Sequence, residues 1–151
     1  MLLDALAADS DLRCVIVGDG PDRARLEEIA HKHGLDGRAR FAGRVDEEEL
    51  AALYGSCLAV YYAPVDEDFG MVPYEAFLSE KPVVTTTDSG GPLEIVTDRR
   101  TGIVCEPRAA ALAEACSWLR LHVDEAKAWG QAGKEIARRV SWDETIARLL
   151  A

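Results

Sequence analysis

The 151-residue chain has no apolar run near the roughly 20 residues that a membrane-spanning helix needs. Its start, MLLDALAADS, has no basic region ahead of the apolar residues, so it does not read as a secretion signal. Positive charge is scarce, with 17 Lys and Arg against 27 Asp and Glu and a net charge of −10. Nucleic acid and anionic membranes both require a positive face, so neither is expected as a partner, and the acidity reads as a solvated surface. The four cysteines, Cys14, Cys57, Cys105 and Cys116, contain no CxxC pair. They read as buried, reduced thiols, which implies a cytoplasmic location. Of the three histidines, His31 and His33 form an HxH with no third ligand in view. They read as polar surface at a helix C-terminus, and no metal is expected. Several catalytic signatures are absent. Gly18 and Gly20 give GxG, but Arg23 stands where a dinucleotide fingerprint needs its third glycine. The stretch GQAGKE (130–135) resembles a phosphate loop only superficially, because it lies between predicted helices and not after a strand. There is no GxSxG and no HExxH.

What is present is alternation. A 48% hydrophobic and 29% charged composition suits one domain spanning 1–151. Short β-branched runs at 13–18, 38–43, 58–64, 81–87 and 102–107 read as strands. Between them, 21–34, 46–55, 73–80 and 91–97 read as helices, followed by helices over 107–122 and 124–140 and the helical tail 141–151. Leu26, Ile29 and Ala30 share one helical face, as do Leu112, Cys116 and Leu119. Asp46 with Glu49, and Ser141 with Glu144, have capping-box spacing. Strand–helix alternation predicts an α/β fold with a doubly wound parallel sheet covered on both faces. Ligands in such sheets bind beyond the carboxyl ends of the strands.

The loop after the third predicted strand is the informative one. It reads EDFGMVPYEA (67–76), with Glu67 and Glu75 on either side of a Gly and a Pro. Gly70 permits close approach of a ligand to the backbone. Pro73 suits a first helical turn, so a helix is expected to begin near Met71. The amides of Gly70, Met71 and Val72 would then be free for an anion, and two carboxylates could accept sugar hydroxyls on either side. An acid in a first helical turn is also common simply because it matches the helix dipole.

The string EDFGMVPYEAFLSEKPVVTTTDSGGPLEIV resembles the donor-binding half of group 1 retaining glycosyltransferases of the GT-B fold. The matching positions are Glu67, Phe69, Gly70 and Glu75, then Pro82, Val83 and Val84, then Gly90, Gly91 and Glu94. The resemblance implies a Rossmann-like half of a GT-B fold and a nucleotide diphosphate sugar as donor substrate, with no cofactor. It makes Glu67 and Glu75 the candidate catalytic pair, with Glu75 on the ribose and Glu67 on the donor sugar. It puts the backbone of Phe69, Gly70 and Met71 against sugar and diphosphate. Arg44, Val45 and Asp46 would hold the nucleobase, with Gly18 and Gly20 beneath it. Gly90, Gly91 and Glu94 receive no role beyond a packed turn.

Family members carry their phosphate-binding Arg and Lys on a strand and loop before the first helix, whereas this sequence opens at that helix. An incomplete C-terminal domain is therefore expected, with its first strand and the preceding acceptor-binding domain missing, inactive alone. A donor-binding part of an enzyme, a free-standing sugar-nucleotide module and an inactive fragment all remain open. In the order 3-2-1-4-5-6 the missing strand is central. The strands at 13–17 and 58–62 should then either pair directly or flank an open slot, and the slot is expected.

Overall fold

The computed structural model describes residues 1–140. The predicted capping pair Ser141 and Glu144, with the helix it would start, lies outside the described residues. Helix α1 (Leu2–Ala8) precedes β1 (Cys14–Val17), α2 (Arg23–Lys32), β2 (Ala39–Gly43) and α3 (Glu47–Ser56). Then follow β3 (Val60–Tyr61), α4 (Val72–Leu78), β4 (Val83–Thr86), a 3-10 turn (Gly91–Glu94), β5 (Gly102–Cys105), α5 (Ala109–Leu121) and α6 (Val123–Ala137).

The expected α/β order holds, and every strand pair is parallel. The sheet is divided: among the described residues the strands form two ladders, β1-β2 and β3-β4-β5. Strands β1 and β3 share no ladder, so the sheet does not close by pairing them directly. Coverage on both faces is corrected for β1. Cys14 and Ile16 pack under α1 and α2 beside Leu3, Leu6, Leu12, Ala30 and Leu35. Val15 and Val17, pointing the other way, keep 42% and 41% of their surface exposed. By contrast, all four residues of β4 are buried. Strand β3 is shorter than predicted, but its neighbours continue the contact, with Val60 N and Tyr62 N donating to Pro82 O and Val84 O at 3.0 Å each.

Helix α1 joins the halves. Leu3 and Leu6 enter the β1 core, while Ala5 enters the core formed by Val84, Ile103, Leu112 and Leu119. Arg38 Nη1 caps its C-terminal end, donating to Leu6 O at 2.8 Å and Asp9 O at 2.9 Å. Ser117 Oγ on α5 donates to Asp9, and Arg120 pairs with Asp11 at 3.1 Å. A third core, Ala76, Phe77, Val83, Val96 and Ala137, lies under α4 and α6. The GQAGKE stretch is part of α6, not a connection between helices. Its glycines are buried where α6 crosses α4: a Cβ on Gly130 would strike the Glu80 carbonyl, and one on Gly133 the Phe77 ring.

The cysteines are free and half-buried. Burial pushes the thiols of Cys14 and Cys116 up to about 11, so they stay protonated and unreactive at neutral pH. His31 and His33 end α2 as expected, His31 facing Asp36 at 3.1 Å and His33 facing Asp4 at 3.2 Å.

Candidate functional site

Helix α4 starts at Val72 with Met71 at the N-cap and Pro73 in the first turn, as the Gly-to-Pro spacing predicts. Gly70 turns the chain into it at φ 69°. A Cβ on Gly70 would lie 3.0 Å from the Tyr62 ring and 3.5 Å from Glu67 Cγ, so the loop is folded tightly over both side chains. Glu75 lies one turn into α4. Phe69 projects from the loop half-exposed and stacks on Tyr74, with ring centroids 5.2 Å apart.

The backbone of Glu67 is fixed by a second loop, the one that follows β4. Asp66 N donates to Asp88 O at 2.9 Å, Glu67 N to Ser89 O at 3.2 Å, and Gly91 N to Glu67 O at 2.6 Å. These bonds extend the parallel β3–β4 pairing past the ends of the strands and create an isolated bridge between Glu67 and Gly90. Gly90, at φ 74°, accepts this contact only because it has no side chain: a Cβ there would lie 2.6 Å from Glu67 O and 2.8 Å from Glu67 N. A Cβ on Gly91 would strike Asp68 O. The Gly-Gly pair thus serves the preceding motif by seating the residue that carries its first carboxylate.

Beneath that loop lies a buried hydroxyl cluster that sequence reasoning missed. Thr85, Thr86 and Ser89 are 0%, 1% and 0% exposed. Thr85 Oγ1 donates to Ser89 Oγ at 2.7 Å, Thr86 N donates to the same oxygen at 3.2 Å, and Thr86 Oγ1 lies 3.0 Å from it. Three buried hydroxyls that satisfy one another pin the 86–89 turn, and with it Ser89 O beneath Glu67. A run of β-branched threonines looks like ordinary strand, so only Ser89 three residues beyond Thr86 could have signalled the arrangement.

Two tyrosines were also missed. Tyr54 on α3 donates its hydroxyl to Glu75 Oε2 at 2.8 Å. Tyr62, just past β3, reaches Glu67 Oε2 at 3.5 Å, the far limit for such a bond. Burial first, and the neighbouring carboxylate second, push the Tyr54 phenol well above its usual range, and Tyr62 is raised for the same reasons. Each candidate carboxylate therefore faces a phenol that keeps its proton.

The expected nucleobase residues lie at the ends of β1 and β2. Gly18 N donates to Gly43 O at 2.7 Å, which joins the GxG loop to the turn leading into Arg44. Arg23 lies across that turn, its Nη2 3.4 Å from Phe41 O. Gly18 and Gly20 have open space where a Cβ would stand. Arg44 and Asp46 are exposed and Val45 is half-buried. The Asp46 side chain is already engaged as the cap of α3, accepting the Glu49 amide at 2.8 Å. Glu47 follows Asp46 directly, so these residues are tied to the helix that carries Tyr54. The described residues contain no cluster of three or more His, Cys, Asp or Glu that could hold a metal ion. No described helix is long and apolar enough to cross a membrane.

Comparison with known proteins adds to this geometry. The family model described as glycosyl transferases group 1 matches residues 1–136. The chain is 34% identical over 110 residues to the alpha-1,3/1,6-mannosyltransferase of Dictyostelium discoideum, covering 73% of this chain and 26% of that protein. It is 32% identical over 145 residues to a GDP-mannose-dependent alpha-(1-6)-phosphatidylinositol monomannoside mannosyltransferase of Mycobacterium tuberculosis, covering 89% of this chain and 37% of that one. Among solved structures, Anabaena HepE in complex with UDP-glucose superposes with a TM-score of 0.86 at 27% identity, over 99% of this chain and 43% of that chain. Sucrose-phosphate synthase from Thermosynechococcus elongatus does so with a TM-score of 0.86, also at 27% identity, over 99% of this chain and 40% of that one. The chain thus spans between a quarter and about two-fifths of the length of these relatives.

Proposed function

The chain belongs to the group 1 glycosyl transferases, and from that premise we propose that it is the donor-binding part of a retaining glycosyltransferase, one that moves a sugar from a nucleotide diphosphate sugar to an acceptor. The observation that carries this reading is the pair Glu67 and Glu75, each facing a tyrosine hydroxyl, on either side of the tight Gly70 turn. Carboxylates of this kind suit the vicinal hydroxyls of sugars, since each has several acceptor positions and no proton of its own to give. Glu75 takes the ribose and Glu67 the transferred sugar. The backbone of Phe69, Gly70 and Met71 lies between them for the sugar and the diphosphate. Arg44, Val45 and Gly18 form the nucleobase edge at the ends of β1 and β2, and Gly20 keeps that floor open.

Departure of the diphosphate is the demanding step, because negative charge accumulates on the leaving oxygen and must be met by fixed dipoles or cations. The resemblance assigns that role to helix N-termini and basic side chains, in a site between two domains, with the acceptor held by the other domain. The reading needs no metal and no cofactor, and the donor is the only small molecule it requires besides the acceptor. The complex of HepE with UDP-glucose and the GDP-mannose dependence of the mycobacterial relative support a nucleotide sugar without selecting the base.

Titration of the purified chain with UDP-, GDP- and ADP-sugars tests the reading. Binding of at least one donor is expected, and Glu75→Ala should weaken it about tenfold or more, given about 1.5–3 kcal/mol for each charge-assisted hydrogen bond lost. Failure of all three donors to bind would sink the donor reading. Unchanged affinity in Glu75→Ala would remove Glu75 from the ribose.

A further inference from the structure

We propose that Tyr54 is a positioning residue for Glu75: its hydroxyl holds one carboxylate oxygen so that the other is presented to the ribose. The inference rests on the donor reading above and adds a residue that the motif itself does not contain. Tyr54 lies near the end of α3, 21 residues before Glu75, and its hydroxyl meets Oε2 at 2.8 Å. The ring is half-buried and packs against the core of Ala76, Phe77, Val83, Val96 and Ala137. Packing therefore sets where the hydroxyl stands, rather than a free surface rotamer. Lys81 Nζ donates to Gly55 O at 2.9 Å, fixing the end of α3 to the chain just before β4.

A glutamate side chain turns about three bonds, and on a helix surface it samples many orientations. A phenol anchored in the core removes most of that freedom before any ligand arrives, so binding does not have to. A tyrosine hydroxyl gives one hydrogen bond and so occupies one oxygen, leaving Oε1 for a hydroxyl of the ligand. The phenol stays protonated because burial and the adjacent carboxylate both oppose its ionisation, so the tether persists across the neutral range. Tyr54 acts through Glu75 and needs no contact with the nucleotide.

The test compares ribose with dideoxyribose. Chemical-shift titration of the chain, which reads dissociation constants into the millimolar range, would use GDP, UDP and ADP and their 2′,3′-dideoxy counterparts. For the unmodified chain the ribonucleotide should bind about tenfold more tightly than its dideoxy form. Tyr54→Phe keeps the ring and its packing. It should weaken ribonucleotide binding about three- to tenfold and leave dideoxynucleotide binding unchanged, so that the preference shrinks. In a Glu75→Ala background the same change should have no further effect. If Tyr54→Phe keeps the full preference, weakens both nucleotides equally, or fails to fold, the tether is overturned while the donor reading stands. If the unmodified chain does not distinguish ribose from dideoxyribose, or binds none of the three nucleotides, the donor reading fails first and the inference with it.

Discussion

Gly90 shows how much of the site depends on a side chain that is not there. Its φ of 74° is one that residues with a Cβ rarely adopt, and the direction of its Cβ is filled by the backbone of Glu67. Any larger residue must push the 66–68 loop, and the Glu67 carboxylate moves with it. Gly90→Ala should cost at least about 1–3 kcal/mol from backbone strain, before the clash is counted. Gly20→Ala is the matched control, since Gly20 has no neighbour within 4 Å in the Cβ direction and its φ is not positive. That change should stay within about 0.5 kcal/mol. Urea denaturation of the two variants decides the point, and equal midpoints would show that the Gly90–Glu67 contact does not hold the loop. Asp46 makes a different point. Its side chain caps α3, so on the proposed reading a base would meet the backbone of this turn, Arg44 and Val45 and not the Asp46 carboxylate.

At the scale of elements, α6 inverts a familiar rule. Alanine in place of glycine ordinarily stabilises a helix interior by about 0.5–1 kcal/mol. Gly130 and Gly133 stand where α6 crosses the end of α4, with the Glu80 carbonyl and the Phe77 ring against them. Gly133→Ala should therefore destabilise the chain by about 1–3 kcal/mol through overpacking. Gly55→Ala, on open α3 surface, should be neutral or slightly stabilising. Thermal melts that moved both variants in the same direction would refute the crossing. Phe77, which Gly133 meets, also belongs to the third core, against which Tyr54 packs.

For the molecule as a whole, the two sheets should differ in stability. Strand β4 is paired on both sides and wholly buried, whereas β1, among the described residues, pairs with β2 alone and leaves Val15 and Val17 half in water. Amide exchange is slowest where burial and pairing are complete and fastest where they are not. Peptides covering β4 should exchange at least about tenfold more slowly than those covering β1. Equal protection would mean that the halves unfold as one unit despite their separate ladders. Helix α1 links them, as does Cys116 on α5, which packs against both cores, so variants at Ala5, Leu6 and Cys116 bear on that coupling directly.

Local patterns along the chain set most of the elements and the order in which they occur. Short β-branched runs and apolar periodicity placed the strands and the described helices except 91–97, where a four-residue 3-10 turn stands, while Gly70 and Pro73 placed the start of α4 and Asp46 the cap of α3, because each of these depends on neighbours within a few residues. The candidate site was marked by the resemblance of the whole 67–96 string to the family, since two glutamates eight apart arise often by chance. Tertiary structure alone decided what holds those carboxylates in place. Tyr54 meets Glu75 across 21 residues, and Glu67 is seated by Gly90, Gly91 and Ser89 from the loop after another strand. It also kept the two sheets apart and buried the glycines of a false phosphate loop inside a helix crossing. Such contacts join residues far apart in the chain, and their energy depends on distances and burial that no local pattern of side chains encodes.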